Sequence, residues 1–355
     1  MKLATYKDGS RDGQLVVVSR DLGLAHYATG TATRLQQVLD DWNFLSPQLQ
    51  DLYVTLNQGR ARHAFSFEPR QCMAPLPRAY QWADGSAYPS HLARLHLARR
   101  TEVPADGAND ATTTPAAGPE SAPSNGLLMV QGGSDRFLGP CDEAWFGSEG
   151  WAIDFEAKLA VITGDVAMGA SPDQALNGVR LLMLVNDWSL RNGASSEPAK
   201  RFGFLQSQPA TAFSPVTVTP DELGAAWRGG RVHLRLQSTV NGKPVGGCDA
   251  GPEMAFHFGQ LIAHLAKNRQ VGAGSVVGSG TVSNADAAKG WHCIAEKRAF
   301  ETVEHGAPRT PYLMTGDTVR IEMTGPGGLS VFGAIEQRVA GPLDLCAPCA
   351  DPDAA

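Results

Sequence analysis

A break in composition at residues 101–126 limits the folds that are open to this sequence. The segment, TEVPADGANDATTTPAAGPESAPSNG, has no aromatic residue and no Leu, Ile or Met, and it is dense in Ala, Pro, Gly, Ser and Thr. It cannot bury enough apolar surface to offset the entropy lost on ordering. We therefore predict a flexible linker or loop at 99–126, between an N-terminal domain at 1–98 and a larger domain at 127–343, with a disordered tail at 344–355.

The patterns on either side of the break predict a β-dominated α+β fold. Before it, short apolar runs such as QLVVVS accompany a helical pattern in TRLQQVLDDWNFLSPQLQDLYVTL. After it, most runs are β-prone and bounded by Gly, Pro or Asn, including LLMVQG, WAIDFEAKLAVIT, SPVTVTP, RVHLRLQSTVNG, GSVVGSG and DTVRIEM. Helical patterns are fewer there, and we place them in SPDQALNGVRLLMLVNDWSL and MAFHFGQLIAHLAKNR.

Composition excludes several classes of function. The 355 residues carry a net charge of −6, which argues against a general nucleic-acid or acidic-membrane binder. There is no run of 18 apolar residues and the N-terminus turns polar at once, so we expect a cytoplasmic protein. The Gly-rich segments match no nucleotide-binding pattern. Cys346 and Cys349 form a CAPC pair for which a redox or half-zinc role is open, but we interpret it as part of the disordered tail.

Three carboxylates stand in segments that could contribute to a cation site. Asp135 lies in a Gly-rich turn, Glu156 lies on a predicted strand, and Asp187 ends an apolar run. Hard cations such as Mg²⁺, Mn²⁺ or Ca²⁺ favour oxygen ligands gathered from several segments. Taken alone, each acid is more often an ordinary surface or turn residue. On the strand, Lys158 follows Glu156 by two residues, so both side chains share one face.

Several long motifs in order resemble the fumarylacetoacetate hydrolase family, in particular its bacterial fumarylacetoacetase-like branch. They are GGSDRFLGP, IDFEAKLAVITGDVAMGA, VNDWSLRN, FGFLQSQPATAFSPVTVTPDELG, GSGTVSN, CIAEKRAFETVEHG and TPYLMTGDTVRIEM, together with the opening MKLATYKDGSRDGQLVVVSRDL. The likeness covers nearly all of the chain except 101–126 and the tail. It implies a β-rich, usually dimeric enzyme that uses a divalent metal to stabilise an enolate of a small β-dicarbonyl or oxo acid.

The resemblance also assigns roles to residues. The positions of the four metal-binding acids fall on Asp135, Glu156, residue 158 and Asp187, and that of the anion-stabilising lysine falls on residue 208. Arg191, Ser207 and Thr281 match positions that contact substrate or shape its pocket, and Glu296 matches an acid that orients the attacking water. A general-base His of the animal hydrolases, seven residues after the first metal acid, would fall on Asp142.

Two of these positions depart from the family pattern. Residue 158 is Lys where the family has Glu, and residue 208 is Gln where it has Lys. Each charge unit at ~4 Å is worth about 4 kcal/mol at an effective dielectric near 20, so an ammonium strongly opposes a divalent cation. A protonated lysine also has no lone pair to offer a metal. We expect the Lys158 ammonium to take the place of the cation and to neutralise Asp135, Glu156 and Asp187.

Three functions remain open from the sequence, besides a binding module built on the acidic surface or the CAPC tail. The first is an enzyme of this family with altered, metal-independent chemistry, meaning cyclisation, dehydration, decarboxylation or C–C cleavage, in which Lys158, Gln208, Glu296 and Asp142 are the catalytic candidates. The second is a conventional C–C hydrolase that binds Mg²⁺, Mn²⁺ or Ca²⁺. The third is an inactive binding or scaffold protein on the same dimeric fold. The first two act on a small molecule and use neither nucleic acid nor membrane.

Overall fold

A computed structural model of the protein describes residues 1–102, 126–192 and 205–342. Residues 103–125 of the predicted linker lie outside the described residues, and so does the predicted tail with Cys346 and Cys349. The first four residues of the predicted linker, 99–102, are the end of a helix that begins at Pro89. None of the helices in the described ranges is long and apolar enough to cross a membrane.

Strands dominate the described residues, which confirms the predicted fold class. The helices are α1 Leu35–Asp40, α2 Trp42–Asn57, α3 Pro89–Glu102, α4 Pro172–Leu176, α5 Phe258–Leu265 and α6 Ile294–His305. The strands are β1 Lys2–Tyr6, β2 Gln14–Val18, β3 Leu24–Tyr27, β4 Phe65–Ser66, β5 Trp82–Gly85, β6 Met129–Gly132, β7 Ala144–Trp145, β8 Ile153–Asp154, β9 Ala157–Thr163, β10 Val179–Leu190, β11 Ala210–Phe213, β12 Thr217–Val218, β13 Trp227–Arg228, β14 Arg231–Val232, β15 Arg235–Val240, β16 Lys243–Asp249, β17 Val276–Thr281, β18 Thr318–Met323 and β19 Ile335–Ala340.

Most strands belong to two sheets that share a core. Among the described residues, the larger sheet runs in the order β4-β3-β2-β1-β12-β10-β9-β17-β5-β6, and β8 and β11 also pair with β10. The smaller sheet has the order β16-β15-β18-β19-β7, while β13 and β14 form a separate hairpin. Strands β9 and β10 therefore lie at the centre of the larger sheet, with β12 and β1 to β4 on one side and β17, β5 and β6 on the other.

The central strands are buried on both faces. On β9, Leu159 and Val161 belong to the apolar core shared with the smaller sheet, whereas Ala160 and Ile162 belong to a second core that is closed by α1 and α2. Every residue of β9 is buried. A strand with two covered faces reads as a continuous apolar run rather than as an alternation. The run at residues 157–163 is therefore recognisable as a strand from its apolar residues, although it contains Lys158 and follows directly after Glu156.

The helix predicted over residues 171–190 is wrong for most of its length. Ser171 accepts a hydrogen bond from the backbone of Gln174 and caps a helix, as its sequence predicts, but that helix ends at Leu176. Residues 179–190 form the strand β10. A short apolar run that is buried on both faces has no periodicity to separate helix from strand. The helical pattern in residues 254–269 is confirmed by α5.

The predicted domain boundary at residue 98 falls inside α3. Strand β5 pairs in parallel with β17 at the centre of the C-terminal part, and α3 packs against α6. Residues from Trp82 to Glu102 thus belong structurally with the segment that follows the composition break. On both sides of the break, elements belong to the same packing: α3 packs against α6, and β6 pairs with β5.

Gly280 is required where β17 approaches β5. Its φ is +76°, and a Cβ there would lie 2.2 Å from the carbonyl oxygen of Gly85. Its N–H also donates a 2.9 Å hydrogen bond to Asp84 Oδ1. Gly9 has a similar φ of +82°, but a Cβ added at that position would meet no atom within 4 Å.

We predict that Gly280→Ala lowers the free energy of unfolding by about 1–3 kcal/mol more than Gly9→Ala, because only the first adds a clash with the backbone to the strain of a positive φ. Denaturant unfolding of both variants measures the difference. Equal losses for the two variants would show that close approach of β17 and β5 does not restrict residue 280.

Candidate functional site

The candidate site lies at neighbouring positions on β5, β17, β9, β10 and β11. Lys158 of β9 is in register with Val185 of β10 on one side and with Thr281 of β17 on the other. Because side chains alternate along a strand, Lys158 shares a face with Glu156 and with Asp187, which lies two residues beyond Val185. Strand β5 brings Asp84 to the same face.

The Lys158 ammonium is surrounded by three carboxylates. Its Nζ donates 2.6 Å hydrogen bonds to Asp84 Oδ2 and to Asp187 Oδ2, and it lies 2.8 Å from Glu156 Oε2. The Lys158 side chain is 1% exposed. Three carboxylate oxygens therefore lie around a group that has three protons to donate.

These carboxylates also accept hydrogen bonds from other donors. Glu156 accepts hydrogen bonds from Thr281 Oγ1 at 2.9 Å and from Arg191 Nη2 at 2.6 Å. Asp187 accepts from Thr211 Oγ1 at 2.8 Å and from Gln208 Nε2 at 3.3 Å. With Gly280 N–H on Asp84, every acid of the cluster has at least one partner besides Lys158, as buried charges require.

The pKa values of the cluster follow from burial and from the ion pairs. Burial alone would lower the pKa of Lys158, but the carboxylates of Asp187, Asp84 and Glu156 outweigh it and hold that pKa well above its usual range. Burial opposes ionisation of Glu156, yet Lys158 and Arg191 lower its pKa. Burial raises the pKa of Asp84 to about 6 despite the contact with Lys158. Lys158 is therefore a permanent cation at neutral pH.

These residues do not fit a divalent metal ion. Mg²⁺, Mn²⁺ or Ca²⁺ would need to lie roughly 2.0–2.6 Å from the oxygens of Asp84, Glu156 and Asp187. The Lys158 ammonium contacts one oxygen of each of these residues at 2.6–2.8 Å. A cation at the centre of the carboxylates would overlap with the ammonium and be repelled by it.

A second pair, a half-buried histidine and a buried glutamate, lies beside the cluster and joins α3 to α6. His91 Nδ1 lies 2.9 Å from Glu296 Oε2. The other oxygen of Glu296 accepts hydrogen bonds from Arg94 Nη1 at 2.7 Å and from Ser283 Oγ at 2.6 Å. Although burial opposes ionisation of Glu296, these neighbours, His91 first, lower its pKa. A carboxylate can only accept, so the proton of a neutral His91 resides on Nδ1 and leaves Nε2 as the basic nitrogen.

Both groups meet at a small cavity of about 160 Å³. Its charged and titratable lining residues include Asp84, Glu156, Lys158 and His91, and Gln208 and Thr281 also line it. Pockets for drug-sized ligands are roughly 300–1,000 Å³, so this cavity fits only a small molecule. A wider groove shares Val130 and Gln208 with it and continues past His264 and Lys267.

Two of the acids predicted for the site, Asp135 and Asp142, lie outside both the cluster and the cavity. Asp135 is exposed and lines the surface grooves rather than the cavity that contains Lys158. Asp142 bonds to Lys7 Nζ and to Gly139 N, away from the cavity. The third acid of the cluster is Asp84, and the residue seven positions after it is His91.

With Asp84 as the first acid, the residue seven positions later is His91. This is the spacing that the family resemblance implies between the first metal acid and the general-base histidine. The signal is present in QWADGSAYPSH, but that stretch lies before the composition break, outside the segments in which the sequence predicts the site. Lys158, Gln208 and Thr281, which the family resemblance assigns to the site, line the cavity, and Glu296 contacts its lining residue His91.

Arg191 and Ser207 do not line the cavity. Arg191 lies behind Glu156 and bridges it to Asp154, whose carboxylate also accepts hydrogen bonds from Ile294 N and Ala295 N at the start of α6. Arg191 and Asp154 therefore connect the Lys158 cluster to the helix that carries Glu296. Ser207 is buried, and its hydroxyl has no hydrogen-bond partner among the described residues.

His91, Cys293 and Glu296 also place potential ligand atoms within 4.8 Å of one another. Arg94 already pairs with Glu296, and burial raises the pKa of the Cys293 thiol well above its usual range. A metal thiolate is disfavoured by both features. We therefore interpret these three residues as part of the hydrogen-bonded group around Glu296 rather than as a metal site.

Comparison with known proteins identifies the class. Residues 81–340 match the family model described as fumarylacetoacetate (FAA) hydrolase C-terminal, and residues 1–78 match that of fumarylacetoacetase N-terminal domain 2. The chain belongs to the fumarylacetoacetate hydrolase family. Its C-terminal domain starts before β5, so Asp84 and His91 are part of it. No curated protein matches the chain.

Solved structures share the fold over nearly the whole chain. A putative HpcE protein from Mycobacterium smegmatis has a TM-score of 0.64 at 20% identity and covers 96% of this chain and 100% of its own. Fumarylacetoacetate hydrolase from Exiguobacterium antarcticum has a TM-score of 0.62 at 16% identity, covering 96% and 99%. Maleylpyruvate hydrolase from Sphingobium sp. SYK-6 has a TM-score of 0.58 at 14% identity, covering 96% and 100%. At these identities the likeness establishes the fold alone.

We predict that Lys158→Met lowers the free energy of unfolding by roughly 3–5 kcal/mol at pH 7, because it leaves three buried carboxylates without their shared cation. The raised pKa of Lys158 means that its contribution is fully present below about pH 10 and is lost only as the pH rises through the folded-state value. Lys243→Met, at an exposed lysine of β16, is the control. Similar small losses for both variants in urea unfolding would contradict the account.

Proposed function

We propose that the protein is an enzyme that acts on a small β-dicarbonyl or oxo-acid substrate without a divalent metal. The observation that carries the proposal is the His91–Glu296 pair, whose histidine lines the same small cavity as the Lys158 cluster. A base that is oriented by a buried carboxylate is the arrangement that general-base catalysis requires. An inactive scaffold has no need of such a pair at the wall of a cavity.

In this proposal His91 Nε2 removes a proton, either from the carbon between two carbonyl groups or from a water molecule that attacks one of them. The Nδ1–H···Glu296 hydrogen bond stabilises the imidazolium that forms, and Arg94 and Ser283 hold Glu296 in place. Proton removal is the first step of a cyclisation or dehydration, whereas water activation leads to C–C cleavage. The first of these fits the site better, because it needs no Lewis acid to polarise a carbonyl.

The role of Lys158 in the proposal is to fix the carboxylates rather than to bind substrate. Its protons are directed at Asp84, Glu156 and Asp187, so it is neither a free amine nucleophile nor a free cation. Gln208 contributes an amide N–H at the position where the family resemblance implies a lysine. An enolate formed here has weak electrostatic support, which favours β-dicarbonyl compounds, because both of their carbonyls already delocalise the charge.

We predict that His91→Gln slows exchange of the central protons of a small β-dicarbonyl, such as methyl acetoacetate, for deuterium by about 10²–10⁴-fold relative to the wild type. Proton NMR in D₂O follows the exchange, and buffer without enzyme gives the background. His305→Gln, at an exposed histidine of α6, should leave the rate unchanged. A chelator should have no effect on the wild type. Exchange that survives His91→Gln, or that depends on added Mg²⁺, would refute the proposal.

We also predict that Lys158→Glu creates a site for Mg²⁺ or Mn²⁺ that the wild type lacks. The substitution replaces an ammonium by a fourth carboxylate among Asp84, Glu156 and Asp187, a change of two charge units in favour of the cation. Calorimetry of both proteins with MnCl₂ measures it, and Lys243→Glu controls for the added surface charge. Equal affinity of the wild type and Lys158→Glu would support the conventional metal-dependent hydrolase instead. Recovery of hydrolysis should need Gln208→Lys in addition.

A further inference from the structure

We infer that the cavity selects a substrate whose reacting dicarbonyl end is uncharged, such as an ester, ketone or amide, and excludes the corresponding free oxo acid. The inference rests on the proposed function and narrows its substrate class. It follows from how the charges around the cavity are already used, and from the kind of hydrogen-bond donor that remains for a ligand.

The lysine at the cavity is already paired with carboxylates of the protein. Lys158 is the only lysine or arginine among the described residues that line the cavity. Its ammonium already contacts one oxygen each of Asp84, Glu156 and Asp187 at 2.6–2.8 Å. A ligand carboxylate could reach it only by displacing one of these buried acids. A divalent metal differs in this respect, because it can offer open coordination positions to a ligand.

The charges of the Lys158 cluster, taken together with Arg191 and Asp154 behind it, do not balance. Four carboxylates, those of Asp84, Asp154, Glu156 and Asp187, are linked by contacts to only two cations among the described residues, Lys158 and Arg191. Glu296 is matched by Arg94 on the other side of the cavity. The cluster therefore carries an excess of negative charge, which repels a ligand anion.

The donors that remain for a ligand are neutral. Three donors at the cavity already have partners: the Thr281 hydroxyl donates to Glu156, the Tyr88 hydroxyl to the backbone oxygen of Ala250, and Gly280 N–H to Asp84. The donors left for a ligand are the Ser86 hydroxyl and the second amide N–H of Gln208, both on residues that line the cavity. Neutral donors suit a carbonyl oxygen, whereas a buried carboxylate needs a cationic partner.

Further cations lie outside the cavity. Lys267 and Arg269 are exposed on the wall of the wider groove, which meets the cavity at Val130 and Gln208. They can accept a negative group at the far end of a longer substrate. The selection against charge therefore applies to the reacting end, where the two carbonyls bind next to His91.

Methyl acetoacetate and acetoacetate test the inference, because they share one dicarbonyl skeleton and differ only by the ester methyl group and one negative charge, of which only the charge responds to salt. Saturation-transfer NMR with the wild-type protein compares their affinities at low salt. We expect the ester to bind at least about tenfold more tightly than the acid, and the gap to narrow as ionic strength rises. Asp84→Asn, which removes one negative charge with little change of shape, should narrow it as well.

Tighter or equal binding of acetoacetate, or binding of neither compound up to millimolar concentration, would overturn the inference. The salt series needs only the wild type, so it decides the matter even if Asp84→Asn does not fold. Deuterium exchange in the same samples separates this result from the proposed function. Preferential binding of the ester without exchange would sustain the selectivity and reject the chemistry, whereas exchange of both compounds at equal affinity would do the reverse.

Discussion

The contact of one ammonium with three carboxylates holds the centre of this structure together. Lys158 on β9 bonds to Asp187 on β10 and to Asp84 on β5, and it lies against Glu156 just before its own strand. Each of these groups is almost fully buried. Removing one partner of such a group leaves an uncompensated buried charge, which is far costlier than losing a surface ion pair. The register of the central strands and this charge cluster therefore depend on each other.

The same contact separates two tasks that a metal ion would combine. A divalent cation among the carboxylates can neutralise them and also bind substrate oxygens at its open positions. The ammonium of Lys158 can do only the first, because its protons are taken up by Asp84, Asp187 and Glu156. In the proposed function, the chemistry falls to His91 and Glu296, and it requires a substrate whose proton is already acidic. Gln208 in place of a lysine fits the proposal, since a neutral substrate end needs no strong cation.

Much of this arrangement can be predicted from the sequence, and the part that cannot has a physical reason. Period-two spacing is enough to place Glu156 and Lys158 on one face, and the charge of Lys158 is enough to predict an ion pair with the site acids. The composition break at 101–126 resembles a domain boundary, and the motifs that carry the family resemblance after it place the first metal acid on Asp135. The pairing of β5 with β17, which brings Asp84 to the cluster, is a contact between residues nearly 200 positions apart. Local patterns carry no information about such a contact.

The run from 179 to 190 illustrates the same limit at the level of secondary structure. Its apolar residues are buried on both faces of the sheet, so periodicity alone does not distinguish strand from helix. Burial on both faces is a property of the assembled sheets, with α1 and α2 on one side and the smaller sheet on the other. The seven-residue spacing between Asp84 and His91 is present in the sequence, but only the fold shows that Asp84 is the acid from which the spacing is measured.

A crystal structure of the wild-type protein grown in MnCl₂, with data collected for anomalous scattering from manganese, shows whether Lys158 excludes a metal ion from these carboxylates. We expect no manganese among Asp84, Glu156 and Asp187, and density for Lys158 Nζ within about 3 Å of all three side chains. An anomalous peak at the centre of these carboxylates, with the Lys158 side chain displaced from them, would contradict this expectation.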